Sequence, residues 1–361
     1  MRVLAFGTYD SASHPRIAVL IEGLRAAGLE VDECNIPLGL DTASRVAMLN
    51  KPWRVPLLLG RLGHRWLRLA RQARRSPKPD AVLVGYLGHF DVRLARLLFR
   101  RTPIVLDHLI GASDTASDRG VKGGLKHTAL RAIDAGALRS ADVIVVDTEE
   151  HLAALPEAHR ARGVVINVGA PSAWFAAAAP EREGPLKAVF FGLFTPLQGA
   201  PVIGAAIARL SGEPIAFTMV GKGQDLEETR RLAAGNDRVT WLDWVPGDEL
   251  PALVAAHDVC LGIFAAQGKG VRVVPNKVYQ GAAAGCAIVT GDTSPQRRAM
   301  EGAAVLVPPG DSEALAEALK SLAADPAELA RLKQAARQRV EERFAPAHIV
   351  SPLVERLKDA V

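Results

Sequence analysis

Segment 275–285 reads PNKVYQGAAAG and combines residues that suit binding of a phosphorylated ligand. Its start combines the polar Asn276 and Lys277 with Val278. Small residues follow, and then an apolar run at 286–290 that predicts a buried strand. A helix start offers unpaired N–H groups and a partial positive charge, and Lys277 adds a full charge. Gln280 follows one helical turn later. An ordinary strand–helix connection would explain the alanines but not this Asn-Lys-x-x-Gln cluster, so we favour a ligand site.

Two glycine-rich loops and one basic loop accompany this segment in the second half of the chain. The first loop contains Gly192, Thr195, Gln198 and Gly199, the second contains Gly221 and Lys222, and the third is the basic segment 268–277 with Lys269 and Arg272. Glycine lets the backbone approach a phosphate closely. Each glycine pair by itself is also compatible with a simple turn, and Lys222 with a solvated side chain. Loops that follow successive strands at one sheet edge converge, which favours a joint binding site.

Short β-rich runs alternate with helical stretches in both halves of the sequence, for example RVLAFGT before 15–27 and LKAVFFG before 200–210. This alternation predicts parallel sheets with crossover helices. We expect an α/β protein with a first Rossmann-like domain at 1–170, a linker at 171–185 and a second domain at 186–345. A helix at 346–361 is expected to pack back on the first domain. Two doubly wound domains of this kind bind ligands in a cleft at the carboxyl ends of their strands.

The composition is that of a globular protein, because 49% of the 361 residues are hydrophobic and only 23% are charged. No apolar run approaches the roughly 18 residues of a membrane span. Cys34, Cys260 and Cys286 are isolated, so we expect buried thiols in a reducing cytoplasm. Because no metal-ligand cluster, Walker-type lysine loop or Ser-His-Asp set is visible, we expect no cofactor and no metal requirement.

The pieces FFGLFTPLQG, MVGKGQDL and PNKVYQGAAAGCAIVTGD resemble, in this order and spacing, the donor half of glycosyltransferase family 4. The resemblance covers most of 186–309 and extends more loosely to the first domain. It implies a GT-B fold, in which two Rossmann-like domains face a cleft, and a retaining transfer of sugar from a nucleotide-activated donor.

The chain departs from the family pattern at four positions of this half. Leu193 and Gln198 stand where the family usually has basic residues, and Arg272 and Gln280 stand where it usually has two glutamates. We infer that the cationic function has moved to Arg272 and Lys277, which would stabilise the departing nucleoside diphosphate. Gln280 is expected to hold the ribose hydroxyls. The missing acids leave open an alternative: a protein that binds a nucleotide sugar without transfer, as an epimerase-type enzyme or a non-catalytic subunit.

The first domain offers candidates for the sugar and acceptor side of the site. The strand PIVLDHL delivers Asp107 and His108, the two residues that we assign as catalytic candidates; the resemblance places a histidine near here, about one position away. The acceptor-side candidates are His14, Arg16, Asp114, Asp118 and Arg119. The alternatives are a structural histidine at 108 and, around Pro15, an ordinary helix-capping segment.

Residues 42–79 contain ten basic residues and no acidic residue. At helical spacing, Arg54, Arg61, Arg65, Arg68 and Arg75 share one side, and Leu58, Leu62, Trp66, Leu69 and Ala73 share another. The segment 54–75 therefore predicts a basic amphipathic helix. Its apolar side either joins the core or docks on an anionic membrane surface. The acceptor is expected to be a small molecule, a glycan or a lipid-linked compound, and no nucleic-acid partner is expected, because no recognition module is visible.

Overall fold

The computed structural model describes residues 1–10, 15–39, 55–85, 88–109, 111, 124–177 and 184–360. It divides into two compact units: unit 1 comprises Met1–Asn167 and Pro346–Val361, and unit 2 comprises Val168–Ala345. Across the described residues each unit contains a six-stranded sheet whose neighbouring strands are all parallel. The α/β fold predicted from the alternating pattern is confirmed.

Unit 1 has the strand order β2-β1-β3-β4-β5-β6. Its strands are β1 (Arg2–Gly7), β2 (Glu30–Asn35), β3 (Ala81–Val84), β4 (Ile104–Asp107), β5 (Val143–Val146) and β6 (Gly163–Val165). The helices in its first segment are α1 (Pro15–Ala26), α2 (Val55–Ala73), α3 (Asp91–Leu98), α4 (Gly124–Ser140), α5 (Glu149–Ala154) and α6 (Glu157–Arg160). Every residue of β3 (AVLV) and β5 (VIVV) is buried, as expected for central parallel strands covered on both faces.

The basic helix predicted at 54–75 is α2, and its apolar side belongs to the core of unit 1. Leu62, Leu69 and Ala73 are buried, and Trp66 packs against the same core cluster. Arg61 and Arg68 are exposed on the other side. Packing within unit 1 therefore accounts for these apolar residues, whereas Arg54 and the side chain of Leu58 lie outside the described part of the chain. Contact of the arginines with a membrane stays a prediction.

Unit 2 has the strand order β12-β11-β10-β7-β8-β9. Its strands are β7 (Leu186–Phe191), β8 (Ile215–Val220), β9 (Val239–Leu242), β10 (Val259–Leu261), β11 (Ala287–Gly291) and β12 (Val305–Val307). The helices are α7 (Ser172–Phe175), α8 (Ala200–Arg209), α9 (Leu226–Leu232), α10 (Leu250–Ala255), α11 (Asn276–Ala283), α12 (Ser294–Ala299), α13 (Ser312–Ala324) and α14 (Pro326–Phe344). Two 3₁₀ turns, Pro196–Gln198 and Gly268–Arg272, lie in its loops. The strand order reverses between β7 and β10, and ligands bind at the carboxyl ends of strands at such a switch point.

Local sequence explains several element boundaries in unit 2. Asp311 caps α13, because its Oδ1 accepts hydrogen bonds from the N–H groups of Glu313 and Ala314 at 3.0 and 2.9 Å. Asp325 caps α14 in the same way through Glu328. In the segment expected to be a linker, α7 forms one helical turn, and its buried Trp174 stacks on Phe191 with ring centroids 5.5 Å apart.

The chain returns to unit 1 after α14. Two further helices, α15 (Pro346–Ile349) and α16 (Ser351–Ala360), belong to unit 1, and α15 packs against α1. The packing is close at Gly23, where an added Cβ would lie 2.1 Å from the Pro346 carbonyl oxygen and 2.7 Å from a methyl of Val350. In the part of the chain that the structure describes, no helix has the length and apolar character to cross a membrane.

Substitution of Gly23 by alanine tests this close contact. We expect Gly23→Ala to lower the free energy of unfolding by about 1–3 kcal/mol, because the new methyl group must displace the backbone of α15. Gly63→Ala in α2 is the matched control, since nothing lies within 4 Å of the position that its new methyl group would take. That control should raise stability by about 0.5–1 kcal/mol. Urea unfolding followed by circular dichroism measures both, and an equal loss in the two variants would contradict the contact.

Candidate functional site

Three loops of unit 2 meet where β7, β8 and β10 end. The N–H of Gly192 donates to the Val220 carbonyl at 3.0 Å, and the N–H of Phe194 donates to the Lys222 carbonyl at 2.9 Å. On the other side, the N–H of Phe264 donates to the carbonyl of Gln198 at 3.0 Å. The expected convergence of the loops at 192–199 and 220–223 is therefore observed, and the chain after β10 joins them.

Two glycines make this convergence sterically feasible. Gly221 has φ +133°, and a Cβ there would lie 1.9 Å from the Gly192 carbonyl oxygen. Gly199 has φ +64°, and a Cβ there would lie 2.5 Å from the amide nitrogen of Ala265. At both positions the φ angle is one that residues other than glycine rarely adopt. At both, a Cβ atom would also clash with the backbone of a neighbouring loop. Their glycines are thus required by loop packing, whatever ligand the loops bind.

Lys277 lies at the centre of these loops, in the first turn of α11. Only 4% of its surface is exposed, and its Nζ donates to Oε1 of Gln198 at 2.5 Å. The same Nζ lies 3.6 Å from the centroid of the Phe190 ring, which is a cation–π arrangement. It also lies 3.4 Å from the position that a Cβ on Gly192 would take. The lysine thus reaches from α11 across to β7 and the loop that follows it.

Burial lowers the pKa of Lys277 to about 7, while the thiol of Cys260 acts in the opposite direction. The ammonium and neutral amine forms are therefore both populated near neutral pH. Among the described residues no carboxylate forms an ion pair with this lysine, and Gln198 offers only a neutral oxygen. An anion placed beside Nζ would shift the equilibrium toward the charged form.

Three other residues predicted for the donor side lie beside the two 3₁₀ turns or in α11. Thr195 precedes the 3₁₀ turn Pro196–Gln198 and is half-buried. Arg272 ends the second 3₁₀ turn and is also half-buried. Gln280 follows Lys277 by one turn of α11 and is 6% exposed.

Three more predicted donor-side residues differ in burial. Asn276 begins α11 and is half-buried. Val278 is completely buried, and its N–H donates to the carbonyl of Pro275 at 3.0 Å. Lys222 is exposed and its ammonium lies 3.2 Å from a carboxylate oxygen of Asp243. The sequence did not single out Phe190, since a phenylalanine in a buried strand has no local signal for a cation above its ring.

Arg16 and Asp107 form a buried pair in unit 1. Nε of Arg16 lies 3.3 Å from Oδ1 of Asp107, and their side chains are 2% and 0% exposed. Arg16 also donates to the carbonyl of Ile166 at 2.8 Å and to that of Asn167. The guanidinium thus connects α1 with β4 and with the chain after β6. Burial raises the pKa of Asp107, and Arg16 opposes this rise.

His108 follows Asp107 and is 9% exposed. Its ring lies edge-to-face with that of His89 at a centroid distance of 5.4 Å, and Nε2 of His89 lies 3.4 Å from Oδ1 of Asp134. Burial lowers the pKa of His108 to about 4, so its imidazole is neutral at physiological pH. The catalytic roles of Asp107 and His108 and the acceptor contact of Arg16 stay predictions. The other acceptor-side candidates, His14, Asp114, Asp118 and Arg119, lie outside the described residues.

Asp91 is a buried acid of unit 1 that sequence reasoning missed. Its Oδ2 accepts hydrogen bonds from the N–H and the hydroxyl of Thr8 at 2.7 and 2.8 Å. Its Oδ1 accepts a bond from Nε1 of Trp66 at 2.8 Å. Asp91 therefore fixes the turn after β1 and anchors α2. The only sequence signal was an acid in the first turn of a helix, which is common at exposed positions as well.

The titration of Lys277 gives a pH-dependent stability. Its pKa is about 7 in the folded protein and has an ordinary value of 10.5, so between these values the unfolded chain binds more protons. Stability should therefore rise with pH across this window and level off on either side of it. Relative to Lys277→Met, the wild type should gain up to about 3 kcal/mol between about pH 6.5 and about pH 9.5.

Urea unfolding of the ligand-free protein at the two pH values measures this gain. Lys320→Met removes an exposed lysine of α13 and is the control, because that ammonium stays hydrated in the folded protein. An identical pH dependence in wild type and Lys277→Met would show that the lysine is not desolvated.

Comparison with known proteins matches the segment that contains these loops to a family model. Residues 185–325 match the family model described as glycosyl transferases group 1. The chain is 29% identical over 255 residues to the 2-deoxystreptamine glucosyltransferase of Streptomyces kanamyceticus. This match covers 62% of the chain and spans 62% of the length of that relative.

Solved structures resemble the whole chain. Sucrose-phosphate synthase from Thermosynechococcus elongatus has a TM-score of 0.71 at 17% identity, with 100% of this chain and 99% of that chain covered. The Anabaena protein HepE, solved in complex with UDP-glucose, has a TM-score of 0.68 at 16% identity, covering 99% of this chain and 100% of that chain. At such low identity the likeness shows the fold.

The family match lies on the segment that contains the converging loops and Lys277, and the structural likeness extends over both units. Residues 185–325 therefore match the model of the glycosyl transferases group 1 family, and the chain as a whole has the GT-B fold.

Proposed function

We propose that the protein transfers a sugar from a nucleoside diphosphate sugar to a hydroxyl group of an acceptor, with retention of the anomeric configuration. The observation that carries this proposal is Lys277. Its ammonium group is buried at the switch point of unit 2, and no carboxylate within the described residues pairs with it. A buried charge without a counter-ion is unfavourable for folding alone. Such groups are typical of sites that bind an oppositely charged ligand.

A diphosphate is the anion that this position suits. Breakage of the bond between the sugar and the β-phosphate leaves additional negative charge on the departing oxygen. A buried ammonium stabilises that charge more strongly than an exposed one, because the surrounding dielectric is low. In our proposal Lys277 provides this charge, Arg272 adds a guanidinium, and the backbone of the glycine loop at 192–199 approaches the phosphates.

Donor binding should be coupled to protonation of Lys277. Its pKa of about 7 means that a substantial fraction is neutral in the free protein near neutral pH. A diphosphate beside Nζ favours the charged form, so binding takes up a proton on average. Gln198 keeps Nζ near Gly192 in either form, since the amide oxygen accepts a hydrogen bond from the amine as well as from the ammonium.

The relatives suggest UDP-glucose as the first donor to examine. HepE was solved with UDP-glucose, and the relative from Streptomyces kanamyceticus is a glucosyltransferase. We propose that Gln280 holds the ribose hydroxyls of the nucleotide. The acceptor is proposed to be a hydroxyl compound, whether a small molecule, a glycan or a lipid-linked sugar, and retention follows from the resemblance to family 4.

A second candidate function is binding of a nucleotide sugar without transfer. The observation that favours it is the presence of Arg272 and Gln280 where the resembled family usually has glutamates. An epimerase-type enzyme would convert the donor with no acceptor present. A non-catalytic subunit would bind it without any turnover.

Loss of the buried ammonium should weaken nucleotide binding. We expect Lys277→Met to raise the Kd for UDP by roughly 10- to 100-fold, because a charge-assisted hydrogen bond is lost. Arg272→Met should have a smaller effect of the same sign, since Arg272 is only half-buried. Calorimetric titration measures the affinities, with Lys320→Met, which changes an exposed lysine of α13, as the control. Equal affinity of wild type and Lys277→Met would refute the diphosphate site.

Product stereochemistry tests the transfer itself. Incubation with UDP-glucose and a panel of hydroxyl acceptors should yield an α-glucoside, identified from the anomeric proton coupling by NMR. The donor should persist when no acceptor is added, apart from slow hydrolysis. A β-glucoside would contradict retention. Complete conversion of the donor without acceptor would favour the epimerase-type hypothesis.

A further inference from the structure

Helix α11 carries Lys277 in its first turn, and its other end is held by a residue of α14. The helix spans Asn276–Ala283, so Lys277 and Ala283 lie about 9 Å apart along its axis. The last carbonyl groups of a helix have no partner within the helix itself. In α11 the carbonyl of Ala283 accepts a hydrogen bond from Nη1 of Arg337. This bond joins the carboxyl end of α11 to α14.

The three carbonyl groups that precede Ala283 accept hydrogen bonds from the chain that directly follows. These bonds, at 2.9–3.0 Å, run from the N–H of Ala284 to Gln280, from that of Cys286 to Gly281 and from that of Gly285 to Ala282. Of the four carbonyls, that of Ala283 thus receives its donor from another helix. Because Ala283 is completely buried, loss of the Arg337 guanidinium would leave a buried acceptor without this donor.

The same guanidinium also holds α7. Nη2 of Arg337 donates to the carbonyl of Phe175 at 2.7 Å, and the guanidinium carbon lies 5.4 Å from the centroid of the Phe175 ring. Nε of Arg337 pairs with the carboxylate of Glu341, one turn further along α14. A planar guanidinium holds two carbonyl groups in a fixed geometry, which a flexible ammonium does not. Arg337 therefore fixes the distance between α7 and the carboxyl end of α11.

Helix α7 is connected in turn to the strand whose aromatic ring contacts Lys277. Trp174 of α7 stacks on Phe191 at a centroid distance of 5.5 Å, and the preceding residue, Phe190, has its ring 3.6 Å from Nζ of Lys277. Three side chains thus connect three elements in a closed circuit. Trp174 joins α7 to β7, Arg337 joins α7 to α11, and Lys277 joins α11 to β7. A shift of α11 away from α7 would move the lysine relative to β7.

Close packing along α11 transmits such a shift through the helix. The buried ring of Tyr279 lies 4.9 Å, between centroids, from that of Phe344 in α14. A Cβ on Gly281 would lie 2.5 Å from both Cβ and Sγ of Cys260 in β10. Because densely packed elements transmit strain, the position of one end of this eight-residue helix affects the other end.

We propose that Arg337 is a positioning residue for Lys277. It holds the carboxyl end of α11 against α7, and this keeps the ammonium group in the first turn of α11 beside the Phe190 ring and Gln198. The expected effect on nucleotide binding rests on the donor role proposed above for Lys277, whereas the effect on the position of the ammonium group does not. Through α7, part of the segment that the sequence predicts to be a linker supports the donor site.

NMR on the ligand-free protein with isotopically labelled lysine tests the position of the ammonium group. Lys277→Met assigns the signal by its disappearance. Arg337→Met should raise the pKa of Lys277 from about 7 to about 8 or higher, because water reaches a displaced Nζ. Arg337→Lys keeps a charge but cannot hold both carbonyl groups in the same way, so it should raise the pKa in the same direction. This second variant decides the question if Arg337→Met does not fold.

Arg339→Met is the matched control. Arg339 also extends from α14 to carbonyl groups at the end of another helix, since it donates to Ala299 and Arg298 of α12 at 2.9 Å each. Helix α12 does not carry Lys277. The control should therefore lower the free energy of unfolding, measured in urea, and leave the pKa of Lys277 at about 7.

Calorimetric titration with UDP then relates the position of the lysine to binding. Arg337→Met should raise the Kd for UDP roughly 3- to 10-fold when Lys277 is present. In the Lys277→Met background the same substitution should change the Kd by less than about twofold, because Arg337 acts through the lysine.

The proposal is overturned if the pKa of Lys277 is the same in wild type and in the folded Arg337 variants, or if Arg339→Met raises it as far as Arg337→Met does. Equal weakening of UDP binding by Arg337→Met in both backgrounds would also overturn it. If the pKa rises but Lys277→Met binds UDP as the wild type does, the positioning role is supported and the donor role is refuted.

Discussion

The desolvation of one ammonium group governs the site in unit 2. Lys277 is held away from water by Phe190 beneath it, by the loop that begins at Gly192 and by its own helix, and Gln198 satisfies one of its protons. This position exists only because three loops approach one another closely enough to bury a lysine. The glycines at 199 and 221 permit that approach, so the chemistry of the cation depends on backbone positions that carry no charge.

The two units treat their buried charges differently. In unit 1 the guanidinium of Arg16 has Asp107 and two carbonyl groups, and the carboxylate of Asp91 has three donors. These groups hold strand ends and helices in place. In unit 2 the comparable buried cation has a neutral amide oxygen and an aromatic ring. A satisfied network stabilises a fold, whereas an incompletely satisfied charge provides interaction energy for a ligand. In our proposal Lys277 serves recognition of a ligand, whereas the contacts of Arg16 and Asp91 hold strand ends and helices of unit 1 in place.

Sequence patterns predicted those features of the structure that depend on residues close together in the chain. Alternating strands and helices indicated two doubly wound sheets, and the Asn-Lys-x-x-Gln cluster identified α11 and its lysine. For α2 the amphipathic pattern left two interpretations open, and the burial of Leu69 and Ala73 shows that packing into the core accounts for its apolar side. Contacts between distant residues were not predictable. Arg16 bonds to Asp107, 91 positions away in the sequence, and Lys277 bonds to Gln198, 79 positions away. Periodic patterns in the sequence do not indicate contacts at such separations.

The return of α15 and α16 to unit 1 has a consequence for biosynthesis. Residues 346–360 are translated after the whole of unit 2, yet they cover α1 near Gly23. All strands of unit 2 therefore leave the ribosome while α1 of unit 1 still lacks the helices that cover it. Folding during synthesis would favour early closure of unit 2, which is contiguous in sequence. It would leave an apolar surface of unit 1 open to chaperones until α15 and α16 emerge.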